Sequence, residues 1–390
     1  MQDSRTIPLI DLSKYHQETE LLTQALSLSL ATMQPFSAVF LDKKSEGLTR
    51  TQQQYISFIG DLCDAKVSGN SISSKELFFI PQKLFDKKKI ICIDPCFLEP
   101  QHIPQIMKIL LPTMLLSTKK ITCEIQGSTF HENYLSLQTY KESILRFFSF
   151  YNHLLIVSIP QEGVYPQKGK CEITIQSKYS LETIPLIMIL NKPELVSIKT
   201  QATFAKEYIT EAEQRIIEKT ITISLQQKTT PSTLQTRTQD LEKPVFWCST
   251  YAFFGDENGY DNDKAFVLYQ EKEFSLTENV DSNIIEYSKA CLKHFQQKEL
   301  TKETLEHLIP VILCAGGSIE NVNSSTTNNT TTSLQYVAQK ILDVDSLLKN
   351  NKFVTKGFAT TYKEKQEETI KKEEKEREEE EKNTISIDEL

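Results

Sequence analysis

Apolar residues recur at helical spacing over residues 21–30, with Leu21, Leu22, Ala25, Leu26, Leu28 and the small Ser29 on one broad face, and predict a helix. Pro35 ends that unit, and residues 36–41 read as a strand. A second helix is predicted over 51–63, with Tyr55, Phe58, Ile59 and Leu62 on one stripe, and short strands follow at 67–69 and 76–80. The pattern then returns. Residues 103–116 predict an apolar helix, 121–125 a strand, 134–148 a helix, and 154–159 and 171–175 two strands. Helix and strand alternating over short connections predict an α/β fold in which the large domain is made of repeated small α/β units.

A second alternating block runs from 178 to 279 and predicts a smaller inserted α/β domain. It reads as a helix over 204–219, a strand over 220–225, a polar loop over 226–240, and strands over 245–253 and 265–269. The large domain is therefore assigned residues 1–177 and 280–361, resuming with helices at 284–296 and 302–314. The Asn/Ser/Thr-rich run 318–332 predicts a loop, 333–342 a helix and 353–361 a last strand. Residues 362–390 form a charged C-terminal tail of mostly Glu and Lys, expected to be a solvated helix or disordered.

Composition narrows the chemistry. No apolar run approaches the roughly 18 residues of a membrane-spanning helix, and no secretory signal opens the chain, so an intracellular protein is expected. Net charge of −8 argues against a broadly basic nucleic-acid-binding surface while leaving room for a local basic groove. Eight scattered cysteines, of which Cys92 and Cys96 are the closest pair, offer no second pair to complete a zinc site and read as reduced, buried thiols. Eleven glycines in 390 residues is under half the usual share of roughly 7%, which leaves few places for a backbone phosphate cradle.

Several short segments occur together in a fixed order: Ile10-Asp11-Leu12-Ser13, Gly47-Leu48-Thr49-Arg50, Ser73-Ser74-Lys75-Glu76-Leu77, Leu110-Leu111-Pro112, Gly127-Ser128-Thr129, Gly163-Val164-Tyr165-Pro166 and Ala315-Gly316-Gly317. In that order the chain resembles the RNA 3′-terminal phosphate cyclases over most of residues 7–361. The resemblance implies ATP-dependent chemistry in which a histidine takes AMP and passes it to an RNA 3′-phosphate. The neighbouring 2′-hydroxyl then closes a 2′,3′-cyclic phosphate. Such chemistry needs a nucleophilic imidazole, compensating positive charge and pliant backbone around the phosphates.

The sequence departs from the family on each count. The resemblance puts the nucleophilic histidine at Asn329, and Asn has no basic nitrogen to attack phosphorus. No histidine follows His307, so a slipped alignment does not restore one. The family's Glu-Gly-Gly-Gly-Gln loop is replaced by His16-Gln17-Glu18-Thr19-Glu20, and the arginine after it by Thr23. A second glycine loop becomes Cys96-Phe97-Leu98-Glu99-Pro100, and the stretch after Tyr-Pro reads Gln167-Lys168-Gly169-Lys170.

No catalytic residue is therefore assigned, with His307, beside Glu306 where the family has Asp-Gln, and His16 as displaced-nucleophile alternatives. Lys43, Lys44, Arg50, Lys168 and Lys170 are candidates for an RNA path, against the ordinary reading of exposed basic loops. The expectation is a catalytically inactive cyclase-like protein acting in RNA processing or ribosome biogenesis by binding RNA or protein. No cofactor or metal is expected, and ATP and Mg enter only under an active-cyclase alternative with a displaced nucleophile. A third reading is an interaction scaffold with no RNA role. The resemblance implies RNA or a protein partner such as a ribosome-assembly factor, no membrane, and the nucleus or nucleolus over the cytoplasm. Family precedent for lost chemistry exists, since a eukaryotic branch contains ribosome-biogenesis factors without the nucleophile.

Overall fold

Three stretches of chain fold into the same β-α-β-α-β-β motif, and each closes a four-stranded sheet in the same order. In the computed structural model the described residues are 7–14, 18–42, 44–83, 89–92, 103–130, 135–164, 168–189, 194–226, 230–240, 243–255, 266–276, 279–297, 300–320, 322, 324–349, 352–361 and 363–364.

Unit one comprises β1 (Leu9–Asp11), α1 (Glu18–Thr32), β2 (Phe36–Val39), α2 (Arg50–Leu62), β3 (Lys66–Ser68) and β4 (Glu76–Ile80), with strand order β1-β2-β4-β3. Unit two comprises β5 (Lys89–Cys92), α3 (Ile103–Leu115), β6 (Ile121–Gly127), α4 (Leu137–Glu142), α5 (Ile144–Phe147), β7 (Asn152–Gln161) and β8 (Gly169–Ser177), in the order β5-β6-β8-β7. The third unit begins with β9 (Ile187–Ile189). A fourth sheet then intervenes, formed by β10 (Glu194–Ala205), β11 (Ser232–Gln239), β12 (Val245–Gly255) and β13 (Phe266–Ser275), with α6 (Glu211–Leu225) between β10 and β11 and α7 (Val280–Gln297) after β13. Unit three finishes with α8 (Lys302–Ala315), β14 (Gly317–Glu320), α9 (Ser324–Leu342), β15 (Ser346–Lys349) and β16 (Lys352–Thr355). In each unit the first two strands pair parallel and the others antiparallel. β9 lies within the stretch 178–279, yet it pairs with β14; α7 packs on α6 and β13.

The first helices of the three units, α1, α3 and α8, pack against one another. Their sequences explain why. α1 buries Leu21, Leu22, Ala25, Leu26, Leu28 and Leu30, and α3 buries every residue except Gln105, so neither has a solvent face. Pro112 lies inside α3, where its missing N–H leaves the Lys108 carbonyl without its intrahelical donor. The Ser27 hydroxyl of α1 donates to the carbonyls there, at 3.0 Å to Ile109 and 3.5 Å to Lys108. A proline break in one helix is thus met by a hydroxyl from its neighbour.

Three of the short segments singled out in the sequence act as clasps, one in each unit. Leu48 N–H donates to Ser74 O (2.9 Å) and Ser73 N–H to Leu48 O (2.8 Å), which ties the 47–50 turn to the start of β4. Thr49 caps α2 through a capping box with Gln52. In unit two Thr129 N–H donates to Gly163 O (2.9 Å), and Gly163 N–H to the Thr129 hydroxyl (3.0 Å). Gly316 and Gly317 adopt φ of 92° and 138°, and a Cβ on Gly317 would lie 1.8 Å from the Ile187 carbonyl. The parallel pairing of β9 with β14 therefore requires glycine there.

Several expectations are corrected. The helix over 134–148 is two, α4 and α5, separated at Ser143, whose hydroxyl back-bonds to Thr139 O at 2.6 Å. Phe204 belongs to β10, and 220–225 is the end of α6 rather than a strand, because Ile217, Ile221 and Leu225 form one buried helical stripe. The polar loop 226–240 contains β11, an exposed edge strand paired parallel with β10. The run 318–332 holds β14 and the start of α9. Packing of Leu334, Val337, Ala338 and Ile341 sustains that helix, and low propensity in its first turns is overridden. The last strand ends at Thr355, and 357–361 is helical. Of the tail, only 363–364 lies within the described residues, and it is helical.

Candidate functional site

Lys108 is a lone charge on an otherwise apolar helix, and it is 4% exposed. Its ammonium lies 2.6 Å from Glu20 Oε1 on α1 and 2.8 Å from Glu306 Oε2 on α8. One charged residue from each unit's first helix thus meets in the core. Lys302 Nζ stands 3.5 Å from Glu306 Oε1 at the rim. Gln24 Nε2 donates to Glu20 Oε1 (2.8 Å) and lies 3.4 Å from the Ser333 hydroxyl of α9. Burial works against Glu20 as a carboxylate, but Lys108 and Gln24 outweigh it and hold its pKa below the ordinary value of 4.5. Burial likewise pushes Lys108 down, and the two carboxylates more than reverse this, leaving it above the ordinary lysine value. Glu20 and Lys108 are therefore both charged at neutral pH.

Asn329 lies on α9 four residues before Ser333, one helical turn or about 6 Å along the axis. The cluster therefore occupies the neighbourhood to which the resemblance assigns the cyclase chemistry. Its charges balance, two carboxylates against two ammoniums, and Lys108 is committed to both carboxylates. A triphosphate needs excess positive charge close by, and this cluster has none to offer. Among the described residues no three His, Cys, Asp or Glu side chains group to hold a metal ion.

His307 follows Glu306 and is 3% exposed, with its ring edge-on to Tyr140 at a centroid distance of 5.0 Å. It is a core histidine between α8 and α4. His16 lies outside the described residues, as does Lys43. Arg50 is exposed on the first turn of α2, and Gln52 on the next positions bonds Thr19 at 3.1 Å, beside the start of α1. Lys44 is exposed on the loop before it. Lys168 and Lys170 lie on the β7–β8 hairpin, where Gly169 packs against Thr129 and Gly163. Ser128, next to that clasp, accepts from Ile103 N–H at the start of α3 (3.1 Å). Both basic groups thus stand at the end of the molecule where α1 and α3 begin, on different units.

Lys108 and Ser333 were not singled out by the sequence reading, although a single lysine in a wholly apolar helix is a readable signal. A second, half-buried acid, Glu271 on β13, accepts from Ser136 N–H and from the Ser249 hydroxyl, both at 2.9 Å, and joins the fourth sheet to unit two. Burial raises its pKa, against the pull of those donors. Cys63, Cys123, Cys171, Cys248, Cys291 and Cys314 are buried thiols, while Cys96 lies outside the described residues. No described helix is long and apolar enough to cross a membrane.

Comparison with known proteins agrees with this geometry. An RNA 3′-terminal phosphate cyclase of Methanococcoides burtonii is 27% identical over 152 residues, a stretch covering 38% of this chain and 45% of that protein. The matched stretch is thus less than half of that relative's length. Residues 16–346 match the sequence pattern that defines the RNA 3′-terminal phosphate cyclases. With three units in one topology and its family motifs serving as their clasps, the chain belongs to the RNA 3′-terminal phosphate cyclase family.

Proposed function

We propose that this protein is a family member that binds RNA without cyclising its ends, and that it acts in RNA processing, with ribosome assembly as the setting. The observation that carries this is the Glu20–Lys108–Glu306 cluster, which Gln24 links to Ser333 of α9, one turn from Asn329. Self-neutralising charge offers a nucleotide's phosphates no compensation, and the resemblance puts Asn329, which has no imidazole, at the nucleophile's position. ATP and Mg have no role in this reading. Arg50, Lys44, Lys168 and Lys170 around the start of α1 and α3 supply the phosphate contacts, and a protein partner such as an assembly factor would complete the particle.

Labelled ATP incubated with the native chain and with an Asn329→His variant tests the first half. Neither protein is expected to retain covalent AMP, and adenylylation of the native chain would overturn the reading. For the second half, single-stranded RNA binding is measured against salt. Arg50→Glu and Lys168→Glu should each weaken binding several-fold and reduce the salt slope by about one. Binding that is independent of salt and of both residues would favour a protein-interaction role.

A further inference from the structure

At the opposite end of the central helices from the ion cluster, the C-termini of α1 and α3 border a cavity of about 620 Å³. Each unit contributes to it: Ala31 from unit one, Leu116 from unit two, and Phe358 from the segment after β16. A volume in this range suits a small organic molecule. Thr32, Thr113 and Thr118 line it, and the first two differ. The Thr32 hydroxyl back-bonds to Leu28 O at 2.7 Å. The Thr113 side chain is 7% exposed, and its hydroxyl has no hydrogen-bond partner among the described groups. A buried hydroxyl left in this way costs more than an apolar group of the same shape. Threonine in a helix has two accessible rotamers, so this hydroxyl can turn to meet a partner. The last turns of α1 and α3 carry no basic residue, Lys83, Lys119 and Glu182 stand elsewhere on the lining, and Thr32 O at the end of α1 accepts from Gln34 Nε2 at 3.3 Å and keeps a second lone pair.

We propose that this cavity is a binding site for a small uncharged molecule with an apolar body and a hydroxyl head. The head accepts from Thr113 and donates to a carbonyl at a helix end, while the body packs on Ala31, Leu116 and Phe358. The site is independent of the RNA reading, because it lies on the other face of the three-helix core and uses none of the same residues.

The test uses the full chain with 1-naphthol, and with naphthalene as the same ring system lacking the head, by titration calorimetry. One saturable site is expected for 1-naphthol, about tenfold tighter than for naphthalene. Thr113→Val should remove that tenfold difference and leave naphthalene unaffected. Ser180→Trp, at the lining turn, should abolish binding of both, and Ala359→Leu serves the same purpose if circular dichroism shows that the turn is disturbed. Absence of saturable binding by either compound overturns the proposal. So does 1-naphthol affinity that is unchanged by Thr113→Val or by filling the cavity.

Discussion

Lys108 on α3 donates to Glu20 on α1 across 2.6 Å, inside the packed helical core. The same ammonium holds Glu306 on α8, so removing it strands two carboxylates among three packed helices. Lys108→Met should destabilise the protein by about 3–5 kcal/mol, the cost of breaking a buried ion pair. The triple change Glu20→Gln, Lys108→Met, Glu306→Gln should cost much less than Lys108→Met alone. Urea denaturation of the two variants checks this strong non-additivity.

Acidity acts in opposite directions at Glu20 and Glu271. The Glu20 pKa is depressed in the folded chain, so its contribution is present above 4.5 and lost as pH falls through the folded value. The Glu271 pKa is raised, so its contribution is present below 4.5 and lost as pH rises through the folded value. Glu271→Gln should therefore be more stable than the native chain at pH 8 and should gain little at pH 4.5. Glu20→Gln should be less stable at pH 8, with the gap closing in acid. Urea midpoints across pH 4–8 give both signs.

Glycine substitutions separate backbone need from helix propensity. Gly317→Ala drives a Cβ into the Ile187 carbonyl and should cost more than about 2 kcal/mol. Gly60 lies inside α2, where a Cβ would meet its nearest side-chain atom at an ordinary 3.5 Å. Gly60→Ala should instead stabilise by about 0.5–1 kcal/mol. Thermal melts of the pair should move in opposite directions.

Ser27→Ala removes the donor shared by Ile109 O and by Lys108 O, the carbonyl that Pro112 leaves without its helical partner. A loss of about 1–2 kcal/mol is expected. Adding Pro112→Ala should recover part of it, because the helix can then supply its own N–H. Denaturation of the single and double variants reads the coupling.

Periodicity located α1, α2, α3 and α8 because each carries a strong apolar pattern that no neighbour contradicts. It failed where local preference and packing disagree. The β-branched run Ile221-Thr222-Ile223 reads as strand, yet Ile217, Ile221 and Leu225 need helical spacing to reach the core together. β11 carries Gln, Thr and Arg because it is an edge strand, held by its hydrogen bonds to β10. Asn329 was singled out by the order of the family motifs alone. The ion cluster was not, since Glu20, Lys108 and Glu306 are 88 and 198 residues apart and only the helix packing joins them.

The pairing of β9 with β14 also sets a schedule. Ile187 meets Gly317, 130 residues downstream, and the whole fourth sheet is made in between. At about 5–20 residues per second, a ribosome needs roughly 7–26 seconds to deliver the second strand after the first. Units one and two can close while the chain is still growing, but β9 waits with an open edge until unit three arrives. Completion of the core is therefore a late, non-local step, and this strand is where a nascent chain is most exposed to mispairing or to a chaperone.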